Sequence, residues 1–260
     1  MMDRRDISKR ERVLGALVGN YMSFSLGYED SSVLQDVRCV VRNGSVLERM
    51  RSSILFALHI YWQRDESSEK LLDSIIWDYL TIEHPDAQSR VETLFVSHLI
   101  YSLMEDDEPM AEDIRGHIGA ALSAAVACVS NDDKSRKELD DLAEVIYSAV
   151  LISENEDDTD LIALLLENVT DGSSGLAIDA DSVAIAVAVY CILRHYDDID
   201  SAFAAAMSYS TRLNALAAIL VFNIIGAARG IKALPPQSRE MVESEPMIQE
   251  FMEYVCQIDI

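Results

Sequence analysis

Cysteine, histidine, serine and carboxylate side chains are the groups in this chain that could cut bonds or hold metals, and their spacing argues against both. Cys39, Cys128, Cys191 and Cys256 lie far apart with no C-x-x-C pair, so neither a zinc nor a redox motif is present. They read as reduced, mostly buried thiols. Runs of carboxylates at residues 105–108, 131–134 and 154–158 lack the D-x-D-x-D-G pattern of a calcium loop and read as solvated loops. His98 shares an apolar helical stripe with Val91, Leu94, Phe95, Leu99 and Leu103, the place of a hydrogen-bonded core histidine. No G-x-S-x-G elbow, P-loop, H-E-x-x-H helix or Rossmann glycine pattern occurs.

The elements that would position such groups are helical. Half of the 260 residues are hydrophobic, while glycine (10) and proline (5) are scarce. With alanine, leucine, isoleucine and carboxylates dominant, this composition predicts an all-α fold. The expectation is one compact domain over residues 1–260. Its centre is the stretch from Ser210 to Pro236, in which only Asn214, Asn223 and Arg229 are strongly polar between Leu213 and Ile231. A helix apolar on nearly all sides must be buried on nearly all sides. The stretch has about the length of a membrane span. Two asparagines, many alanines and no basic asymmetry favour a core helix instead. Gly230 reads as its stop, and Pro235-Pro236 prevents resumption.

Other helices are expected over about 7–27, 46–62, 71–80, 110–129, 135–153, 159–169 and 238–257, with a long helix carrying Val91 to Leu103 and a helix pair within 177–209. A short helix near 200–208 is capped from among Asp197, Asp198 and Asp200. In the first helix Gly15 and Gly19 are four apart, which suits close helix packing and is costly otherwise.

The formal charge is −24. Nucleic-acid binding relies on basic side chains that neutralise phosphates, so nucleic acid is excluded as a partner. A basic protein partner is compatible with the charge. The mixed-charge opening MMDRRDISKRER leads into no apolar core with a cleavage site. No secretory signal and no membrane association are therefore expected, and the location inferred is cytoplasmic.

Several motifs resemble those of the ADP-ribosylglycohydrolase family, the relatives of dinitrogenase reductase-activating glycohydrolase. Arg12, Leu14, Gly15, Ala16, Leu17, Gly19, Leu26 and Gly27 match the opening R-A-L-G-A-L-x-G-x-A-x-G-D-A-L-G. His84-Pro85 matches the end of a T-H-x-H-P segment. Gly226, Ala227, Gly230, Ala233 and Pro235 match a helix exit G-A-x-x-G-x-x-A-I-P. The resemblance spans roughly residues 7–236 and implies an all-α bundle around the central helix.

In that family two magnesium ions sit between an early T-D-D-T-x-M motif and a late G-G-D-x-D-T loop. The loop residues here are different. The early motif reads Ser45-Val46-Leu47-Glu48-Arg49-Met50, so Val46 and Leu47 stand where the aspartates belong. At the late positions stand Leu213, Asn214, Ala215 and Leu216, after Arg212. The family's G-D pair is replaced by Ser23-Phe24. Hard divalent cations need oxygen ligands, so neither a metal nor another cofactor is expected, and no catalytic residue is assigned.

The resemblance therefore implies a catalytically inactive homologue acting as a protein-binding or inhibitory, immunity-type module. Its former cleft would gather Phe24, Ser45, Val46, Leu47, Glu48 and Arg49 with Arg212, Leu213, Asn214, Ala215 and Leu216. Two alternatives remain. One is a structural, crystallin-like protein. The other is a metal-independent hydrolase of ADP-ribosyl groups drawing on Glu29, Asp30, Glu48 or His84.

Overall fold

The computed structural model describes residues 9–22, 58, 77–78, 80–81, 86–154, 180–208, 214–236, 240 and 246–257. Among them are eight α-helices, one 3-10 turn and no strand. The helices are α1 (Lys9–Met22), α2 (Ala87–Glu105), α3 (Ile114–Val129), α4 (Asp133–Glu154), α5 (Ala180–His195), α6 (Ile199–Ser208), α7 (Asn214–Arg229) and α8 (Pro246–Gln257). The 3-10 turn, Ile231–Ala233, follows α7. No described helix is long and apolar enough to cross a membrane.

Helix α7 is the axis, as its all-round apolarity requires. From Leu216 to Ala228 every side chain is buried, Asn223 included. Helices α1, α2, α5 and α6 all pack against it, and Phe203 of α6 meets Phe222 with ring centroids 5.0 Å apart. Buried residues from Val13 in α1 to Met252 in α8 belong to one continuous apolar cluster.

The tightest crossing is between α1 and α7. A Cβ added to Gly15 would fall 2.8 Å from the carbonyl carbons of both Gly226 and Gly230. One added to Gly226 would come 2.9 Å from the Ala16 nitrogen and strike the Gly15 carbonyl as well. The obstacle in each case is backbone, which cannot rotate aside, so only glycine permits this approach. Glu11 pairs with Lys232 at 2.6 Å at one end of the seam, so α1 runs antiparallel to α7. Gly230 ends α7 with φ at 76°, and its N–H donates to the Gly226 carbonyl at 2.8 Å.

Side-chain caps set several helix starts. Asp86 accepts from the Ser89 N–H at 3.0 Å at the start of α2. Asp132 accepts from Ser135, from N–H at 3.3 Å and from Oγ–H at 2.7 Å, ahead of α4. Of the three aspartates expected before α6, Asp198 is the cap, holding Ser201 through both N–H and hydroxyl. Helix α3 begins at Ile114, not near 110, because Asp113 first closes a turn on the Met110 N–H at 3.0 Å. The helices expected near 46–62 and 159–169 lie outside the described residues, except for Leu58, which is helical and buried.

Candidate functional site

Helices α2, α5 and α7 run parallel. At their C-terminal ends, the Arg229 guanidinium donates to the Tyr196 carbonyl at 2.6 Å, and the Tyr196 hydroxyl donates to the Pro109 carbonyl at 2.7 Å. Arg12 of α1 completes this end. It is 2% exposed and donates to the carbonyls of Leu103 at 3.1 Å and Met104 at 3.4 Å, and to those of Asp106 and Asp107. A helix leaves its last carbonyls without internal partners and carries partial negative charge there, so a guanidinium fork is well matched to the end of α2. Burial pushes the Tyr196 hydroxyl well above the usual phenol range, against the pull of Arg229 and Arg12, and it remains a neutral donor.

Parallel packing gathers the helix starts at the opposite end. There the buried Glu92 carboxylate accepts from the Ser182 hydroxyl at 2.6 Å, in the first turn of α5. The Gln88 amide lies 3.4 Å from both. A carboxylate beside a helix N-terminus is favoured by the dipole, so Glu92 fastens α5 to α2. Helix α7 begins at this end, at Asn214, and α1 runs toward it.

Leu216, in the first turn of α7, is 4% exposed and belongs to the apolar core. Its aliphatic side chain offers no oxygen to a hard divalent cation. Asn214 and Ala215 form the first turn of α7, with side chains outside the described set. Phe24, Ser45, Val46, Leu47, Glu48, Arg49, Arg212 and Leu213 lie outside the described residues, as do Glu29, Asp30 and His84. Among the described residues no three His, Cys, Asp or Glu side chains gather closely enough to hold a metal ion.

A further constellation escaped the sequence reading. Ser102 Oγ is 2.8 Å from His117 Nδ1, and His117 Nε2 is 3.1 Å from Asp106 Oδ2. With the ring proton on Nε2, all three groups are satisfied in the order of a nucleophilic triad. Ser102 lies inside α2, however, where the neighbouring N–H groups are used by the helix and cannot form an oxyanion hole. The chain of bonds ties α3 to the end of α2. His98 is buried as expected, with Nε2 3.9 Å from Cys128 Sγ. Cys191 is buried, and desolvation pushes its thiol up to about 12, so it is inert near neutral pH.

Compared with protein-family models, the chain matches ADP-ribosylglycohydrolase over residues 38–258. It belongs to the ADP-ribosylglycohydrolase family. Comparisons with curated proteins and with solved structures find no match. The matched range begins after α1, although α1 is packed along the central helix of this family member.

Proposed function

We propose that this ADP-ribosylglycohydrolase homologue is catalytically inactive and works as a protein-binding or inhibitory module for a basic partner. The observation that carries this reading is Leu216. An aliphatic side chain is sunk in the core at the start of α7, where the family resemblance calls for an oxygen ligand. Leu213 and Ala215 at the other late positions, and Val46 and Leu47 in the early motif, are equally unable to coordinate magnesium. Losing one carboxylate can be compensated, but losing all four removes the reason for metal to bind. Apolar residues in place of a buried acidic cluster also relieve a desolvation penalty. The formal charge of −24 supports a basic partner through long-range attraction. In this reading Arg49 and Arg212 flank the former cleft, and reversing both to glutamate weakens partner binding while the melting temperature stays nearly constant.

Thermal unfolding with and without magnesium tests the reading. A ligand of the folded state raises stability by RT ln(1 + [L]/Kd). The expected result is an unchanged melting temperature at millimolar Mg²⁺. A rise of several degrees, reversed by chelator, would refute the proposal.

A further inference from the structure

We draw no further inference here: the strongest candidate, the exposed apolar side of α3 and α4 around Val126, Tyr147 and Leu151, is bordered by exposed side chains of both charge signs, and nothing in the structure shows what covers it.

Discussion

Gly15 and Gly226 lie where two helix backbones touch, whereas a Cβ built on Gly116 or Gly119 of α3 meets nothing within 4 Å among the described residues. The first pair closes the α1–α7 seam, where any larger residue would force the helices apart. The second pair lowers the helix propensity of α3 with no compensating contact among the described residues. The same residue type thus marks a closed helix crossing in one place and an open helix side in another. Only three-dimensional neighbours distinguish the two, since a helical glycine reads alike in sequence wherever it stands.

Gly226→Ala is expected to break the closed side most severely. Its Cβ would strike the backbone of Gly15 and Ala16, which cannot yield by a rotamer change. A loss of about 3 kcal/mol or more is expected in urea unfolding. If Gly226→Ala and Gly116→Ala had equal effects, the contrast between the two pairs would be void.

Arg12→Ala probes the same side at the end of the seam. It strips hydrogen bonds from four carbonyls at the end of α2. About 2–3 kcal/mol should be lost, because buried acceptors are left unsatisfied. Arg12→Lys should recover only part of this, since an ammonium lacks the guanidinium fork. Full recovery by lysine would show that charge alone matters there.

Asp132 holds the start of α4 beside the open face. Hydrogen bonds from Ser135, with help from Arg90, hold its carboxyl below the usual range. A depressed folded-state value means that the contribution is present above the unfolded value near 3.8 and is lost as pH falls through the folded value. Asp132→Ala should therefore cost about 1 kcal/mol at pH 7. The gap between wild type and variant should narrow as pH falls below 3.8 and through the lower folded-state value. A gap independent of pH would point to packing instead of the cap.

Gly116→Ala carries the smallest expected effect and the opposite sign. About 0.5–1 kcal/mol should be gained in the dilute protein, by helix propensity and a less flexible unfolded chain. Destabilisation would mean that the space beside Gly116 is used within the chain.

Much of this architecture was legible in the sequence, wherever the signal was local. The apolar run of α7 fixed its burial, Gly230 its end, and the stripe through Val91, Phe95 and His98 the inner side of α2. The α4 boundary shifted from 135 to Asp133 because Asp132 caps through its own side chain. Of the candidate site, motif register alone assigns Leu213, Ala215 and Leu216 to the late positions; only the Leu216 side chain is among those described, and it is buried. The links that lock the bundle were not readable. Arg12 to Leu103, and Ser182 to Glu92, join residues about ninety positions apart. A buried polar pair leaves no periodic trace in either segment.

The central claim is that the cleft of this family member has lost its chemistry. Release of free ADP-ribose from ADP-ribosyl-arginine and ADP-ribosyl-serine peptides, measured with purified protein at millimolar Mg²⁺, tests it most directly. The account predicts no release above the protein-free control. Turnover by the wild type that is lost in Glu48→Gln would contradict it and establish a hydrolase working without the family's aspartates.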